Sequence, residues 1–118
     1  MKKKDLFGVA QETEVIDVCQ ELIRLKSVNP PGEELFAAQY VASILERAGL
    51  EVELMKHSST RATVFSRLRS QGKIPALLIN GHLDTVPVGV GGWTHKPFDA
   101  NIAERKIWGR GAADMRGG

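Results

Sequence analysis

The stretch Ile74-Pro75-Ala76-Leu77-Leu78-Ile79-Asn80-Gly81-His82-Leu83-Asp84 decides how this chain reads. From Pro75 the run is apolar until it closes on Asn80. That is the pattern of a central strand covered on both faces. Polar, chemistry-bearing residues then follow at its carboxyl end. In open α/β sheets, sites form at that end of a strand.

Upstream of this stretch the pattern changes period twice. Val15, Val18, Cys19, Leu22 and Leu25 recur at three- and four-residue steps and predict a helix over 13–26. Asn29-Pro30-Pro31-Gly32 breaks it. A second helix is expected over 33–48, with Leu35, Ala38, Ala42, Leu45 and Ala48 as its buried stripe. Glu33 and Glu34 sit where its N-terminal dipole favours anions, and Gly49 suits its stop. Alternation of Leu50, Val52 and Leu54 with Glu51, Glu53 and Met55 predicts a half-buried strand over 50–56. A second alternating segment covers 61–69 through Ala62, Val64 and Leu68. Downstream, 81–106 is rich in Gly and Pro and reads as loop, with a short hairpin between Ala100–Ala103 and Ile107–Trp108. Helices followed by strands predict an α/β fold with helices packed on a sheet.

Composition bounds the partners. The chain has 118 residues, a length for one domain, and 42% of them are apolar, enough for a core. Sixteen Lys and Arg stand against fourteen Asp and Glu, a net charge of +2 that gives no electrostatic case for nucleic acid. The one basic run, Lys2-Lys3-Lys4, reads as a solvated end. The longest apolar run, Ile74 to Ile79, is far short of the roughly 20 residues that span a bilayer, so no membrane partner is expected. A single cysteine excludes an internal disulfide framework and a Cys-only zinc knuckle, and points to a reducing, cytoplasmic compartment.

Two clusters carry chemistry. His82 and Asp84 are two apart, so extended backbone projects them to the same side. One can then hold a metal while the other orients it through a hydrogen bond. The same triplet also forms a simple turn in which Asp84 caps its own loop. The second cluster is Gly109-Arg110-Gly111-Ala112-Ala113-Asp114-Met115-Arg116-Gly117-Gly118. It lacks the Gly-Lys-Ser/Thr ending of a phosphate loop, and Asp114 stands where a dinucleotide fingerprint needs its third Gly. Asp114 can be a turn or N-cap aspartate. Its two oxygens can also bridge two metal ions.

Taken together, Gly81-His82-Leu83-Asp84-Thr85-Val86-Pro87, then Trp93, Pro97-Phe98 and Ile107-Trp108 running into the Gly-rich cluster, resemble a known family. It is the zinc-dependent family of acetylornithine deacetylase, succinyl-diaminopimelate desuccinylase, aminoacylase and glutamate carboxypeptidase. Ser27-Val28-Asn29-Pro30-Pro31-Gly32-Glu33-Glu34 resembles its N-terminal signature, and the likeness runs from about residue 13 to the last residue. The resemblance implies a mixed central β-sheet and two Zn²⁺, with His82 ligating one, Asp84 orienting His82, and Asp114 bridging both. Such mixed sites also accept Co²⁺ or Mn²⁺. It implies a cis peptide bond after Asp114. The substrate class would be an N-acyl amino acid or small peptide, cleaved at its amide bond. The family usually has Lys where Arg116 stands.

On this likeness, residues 1–118 are expected to be the N-terminal part of a catalytic domain. The family's general base, its remaining ligands and a lid domain that dimerises in many members would lie beyond Gly118. The chain alone is then expected to be inactive. A competing expectation is a non-catalytic truncated paralogue or binding module that keeps part of a metal site. A third is another two-metal hydrolase, such as an aminopeptidase. The other candidates read as structural: Cys19 as a small buried hydrophobe, His57 as solvated, His95 as a loop residue. Trp93, Phe98 and Trp108 would pin the loop that carries them.

Overall fold

The computed structural model describes residues 12–118, with side chains from Glu14 onward. The Lys2-Lys3-Lys4 run lies outside the described residues. The elements are α1 (Glu12–Arg24), α2 (Leu35–Arg47), β1 (Glu51–Lys56), β2 (Ala62–Arg67), β3 (Asn101–Ala103) and β4 (Lys106–Trp108). They fall into two compact units. One is Leu25–Pro87; the other joins α1 to Val88–Gly118.

In the Leu25–Pro87 unit, α2 packs on an antiparallel β1–β2 pair in which Leu54 faces Val64 and Glu51 faces Arg67. The alternation predicted for both strands is realised. Val52, Leu54, Val64 and Ser66 are half-buried, Ala62 is buried, and the residues between them are exposed. Ala37, Ala38 and Ala42 are the buried face of α2, and small side chains there let the helix approach closely. Leu68 falls beyond the end of β2 and is exposed. Helix α2 begins at Leu35, two residues later than expected, with Glu34 at its N-cap and no side-chain cap bond. The Glu34 carboxylate is taken by Arg61 instead, whose Nε donates to Oε1 at 2.9 Å. A specific charge-assisted bond outweighs the diffuse pull of the helix dipole.

In the other unit, Cys19, Ile23 and Ala100 form the buried cluster, with Ile107 and Ala112 packed against it. Ile23, four residues after Cys19 and not among the residues named for the α1 stripe, is fully buried, whereas Val15 on that stripe is mostly exposed. Gln20 Nε2 donates to the Ala100 carbonyl at 2.7 Å and ties α1 to the start of β3. The β3–β4 hairpin forms where expected. Its turn, Glu104-Arg105, has φ of 53° and 59°, the left-handed pair that a two-residue hairpin turn requires.

The α/β character stands, but the central sheet differs from expectation. Among the described residues the strands form two separate antiparallel pairs. The predicted central strand, Pro75 to Asn80, is neither helix nor strand. Ile74, Leu77, Leu78 and Ile79 are 78–86% exposed. A strand exists only by pairing, and Pro75 contributes no N–H of its own. No described segment supplies a ladder for it. Val28 and Thr85 form an isolated parallel bridge.

Candidate functional site

His82 and Asp84 lie on the segment after residues 74–80, and that segment is anchored where the preceding one is not. Ser27, fully buried, donates from Oγ to the Leu83 carbonyl. Thr85 N donates to Ser27 O at 2.8 Å, and Asn29 N donates to Thr85 O at 2.8 Å. Thr85 is itself buried. Thr85 Oγ1 also donates to Ser27 O at 3.4 Å, so main chain and side chains of residues 27–29 together grip residues 83–85.

The side chains follow from that anchoring. His82 Nδ1 is 3.0 Å from the Asp84 carbonyl oxygen and 3.2 Å from Asp84 Oδ1. Both partners can only accept, so Nδ1 is the ring nitrogen that donates to them. Asn29 Nδ2 donates to the other carboxylate oxygen, Asp84 Oδ2, at 2.8 Å. The Asn29 amide, with smaller help from the Asp84 backbone and His82, holds the Asp84 carboxyl below its usual range against the opposing effect of partial burial.

Asp114 lies in the other unit. The Gly-rich cluster 109–118 is a series of tight turns closed by Ala112 N to Gly109 O at 3.2 Å and Arg116 N to Gly111 O at 2.9 Å. Asp114 is exposed within it, Arg116 is buried, and the Asp114–Met115 bond is cis. Two of its glycines are required by packing. A Cβ on Gly109 would meet Ile23 Cγ2 at 2.7 Å, and one on Gly117 would meet the Ala112 carbonyl oxygen at 2.6 Å. Trp93 and Trp108 pin the loops as expected. Trp93 Nε1 donates to Val88 O and carries Arg110 over its ring at 4.9 Å; Trp108 Nε1 donates to Ala103 O.

Taken separately, His82 offers an imidazole and Asp114 an exposed carboxylate, and both are donor types that divalent metals accept. Two donors are a partial set. Among the described residues no three His, Cys, Asp or Glu come together as a metal cluster. The other candidates stay outside it. Burial pushes the Cys19 thiol up, as suits an inert core residue. His57 Nε2 pairs with Thr63 Oγ1 at 2.9 Å on the exposed hairpin. His95 stacks at a tilt on Trp108, centroids 5.0 Å apart. No described helix is long and apolar enough to cross a membrane.

Asn29 and Ser27 are the residues that reading by pattern missed. Asn29 sits before two prolines and reads as a helix breaker. The hint was a polar pair in a gap whose turn chemistry Pro30 and Gly32 already supply.

Known proteins share this segment. Residues 78–118 match the sequence profile of peptidase family M20/M25/M40. The chain is 42% identical over 106 residues to a succinyl-diaminopimelate desuccinylase of Methylorubrum extorquens (strain PA1), covering 86% of this chain and 26% of that protein. It is 36% identical over 109 residues to the enzyme of that name from Gluconacetobacter diazotrophicus, covering 90% and 27%. For that of Wolbachia pipientis subsp. Culex pipiens the identity is 31% over 104 residues, covering 87% and 25%. The chain therefore spans about a quarter of the length of the curated relatives it matches.

Proposed function

We propose that this chain, which belongs to peptidase family M20/M25/M40, is the N-terminal part of the catalytic domain of a metal-dependent amide hydrolase. The substrate would be an N-acyl amino acid or small peptide. N-succinyl compounds come first, because the relatives carry the name succinyl-diaminopimelate desuccinylase. The observation that carries the reading is the His82–Asp84 pair. A proton held on Nδ1 by acceptor-only partners supports Nε2 as the nitrogen that would ligate.

His82 and Asp114 would hold two Zn²⁺, with Asp114 bridging; Co²⁺ or Mn²⁺ suits the same donors. When bound, the metal supplies Lewis acidity that activates water and offsets charge on the amide oxygen. Asp84 keeps the His82 ring in one tautomer and one orientation. Asp114 keeps an exposed carboxylate at the tight turn formed by the glycine cluster. These residues provide no general base, and two ligands do not complete two metal sites. Residues 1–118 alone are therefore inactive on this reading. The full-length protein would be cytoplasmic, and its lid domain would be the place for a homodimer contact.

The test is to purify the full-length protein, load it with Zn²⁺, and assay a panel of N-acyl amino acids led by N-succinyl substrates. Metal-dependent hydrolysis is expected, reduced at least about 10²-fold in His82→Ala. Asp114→Ala should lose more metal than His82→Ala by elemental analysis, because a bridge serves two ions. Stoichiometric metal with no turnover on any amide would favour the binding-module reading.

A further inference from the structure

Asp84 is gripped at both carboxylate oxygens, and the two grips come from different parts of the chain. His82 holds Oδ1 from two residues away. Asn29 holds Oδ2 from 55 residues away, at 2.8 Å. A carboxylate held at one oxygen can still swing about its Cβ–Cγ bond; one held at both has its plane fixed. The grip is itself preorganised. Asn29 N donates to Thr85 O, Thr85 N donates to Ser27 O, and Ser27 Oγ donates to Leu83 O. The Asn29 amide therefore reaches Asp84 from backbone already docked on either side of it. An ionised carboxylate only accepts, so the amide must present its NH₂.

We infer that Asn29 is a positioning residue of the candidate site: it fixes the Asp84 carboxylate, which together with the Asp84 main-chain carbonyl holds the tautomer and orientation of His82. The inference rests on the reading of His82 as a metal ligand. Asn29 touches neither substrate nor metal in this role and acts only through Asp84. Partners of a ligating imidazole typically account for about 10–100-fold in metal affinity. Asn29 stands one bond further out, so a loss within that range is expected. It also gives the Asn-Pro-Pro-Gly segment a chemical task beyond ending a helix.

The experiment uses the full-length protein, first metal-free and then titrated with Zn²⁺. In the metal-free wild type, ¹⁵N NMR of the His82 ring should report one tautomer, Nδ1–H. Asn29→Ala keeps the Asp84 main-chain acceptor but loosens the carboxylate, so it should admit a minor Nε2–H fraction, a mixture, while keeping a melting temperature close to wild type, and should weaken Zn²⁺ binding about 10-fold or more. Asn29→Asp matches Asn in size and replaces the donor with a second carboxylate, so it should fail in the same way even if the alanine variant folds poorly. In an Asp84→Asn background, Asn29→Ala should cost nothing further, because the two act as one unit. An unchanged tautomer and affinity in both variants would overturn the inference. So would an equal loss of affinity in the wild-type and Asp84→Asn backgrounds, or a lowered melting temperature with the tautomer intact. A wild type that binds no Zn²⁺ would remove the metal reading alone; a tautomer mixture in Asn29→Ala would then still support the positioning role.

Discussion

Residues 74–80 and 81–87 are neighbours in sequence and opposites in structure. The first segment is apolar and exposed along its length, with Leu77 86% and Ile79 85% accessible. The second is polar at His82, Asp84 and Thr85, yet it is tied to residues 27–29 by five hydrogen bonds and has Thr85 buried. Hydrophobicity alone did not order the chain. An apolar strand needs a neighbouring strand for its backbone and a covering layer for its side chains. A polar segment needs only a few directed donors and acceptors, and Ser27, Asn29 and Thr85 supply them within one unit. The residues that would do chemistry are held by the contacts that need least of the surrounding fold.

Hydrogen exchange would break or sharpen this contrast most directly. In the 118-residue polypeptide, the amides of Thr85 and Asn29 should exchange at least about 10²-fold more slowly than those of Leu77, Leu78 and Ile79. The former are bonded at 2.8 Å and the latter lie in exposed, unpaired backbone. On the proposed reading, 76–79 should gain protection in the full-length protein, where a sheet could pair with them. Equal exchange in the short chain would mean that the 27–29 clamp does not persist in solution.

Ser27→Ala is the next largest lever. It removes a fully buried hydroxyl and leaves the Leu83 carbonyl without that donor. A loss of about 1–2 kcal/mol is expected in urea unfolding. The damage should be local, with Thr85 exchange accelerated and the β1–β2 pair unaffected. A variant as stable as wild type would show that the backbone bonds alone hold the segment.

How legible was this in the sequence? The helices, the β1–β2 alternation and the hairpin were readable because period and turn chemistry are local. Ile23, four residues after Cys19, fits the spacing at the edge of the stripe, but what buries it fully is the chain around Gly109 and Ala100, more than seventy residues away. The strand at 75–80 was read correctly as apolar, but pairing is not a property of a segment. At the site, His82, Asp84 and Asp114 stood out by residue type and motif. Asn29 did not, because its task depends on a contact 55 residues distant that no local pattern encodes.

A locally closed element should also be improvable locally, which extends the contrast to the hairpin. Glu104 and Arg105 hold left-handed φ angles that non-glycine residues adopt at a cost, and the turn type favours Asn-Gly. Replacing them together, Glu104→Asn with Arg105→Gly, should stabilise the chain by about 1 kcal/mol. Thermal unfolding would read this as a raised midpoint. No gain would mean that neighbouring side chains, such as Lys106 over Trp108 at 5.9 Å, already offset the backbone cost.

The smallest effect is the most discriminating. Leu77→Lys with Ile79→Lys places two charges in the run that reads as a central strand. In the 118-residue polypeptide both side chains are already in water, so the folded and unfolded states see nearly the same change. Exposed substitutions of that kind fall within about 0.5 kcal/mol. The same pair would also break up an apolar surface that favours self-association, so sedimentation should show fewer oligomers at equal stability. In the full-length protein the outcome should invert. If residues 75–80 form a covered strand there, two buried charges without partners would prevent folding or cost several kcal/mol. A large loss in the short chain would mean that 74–80 is already packed there. A negligible loss in both would mean that the strand never forms, and the sheet expected around this site would have to be built from other segments.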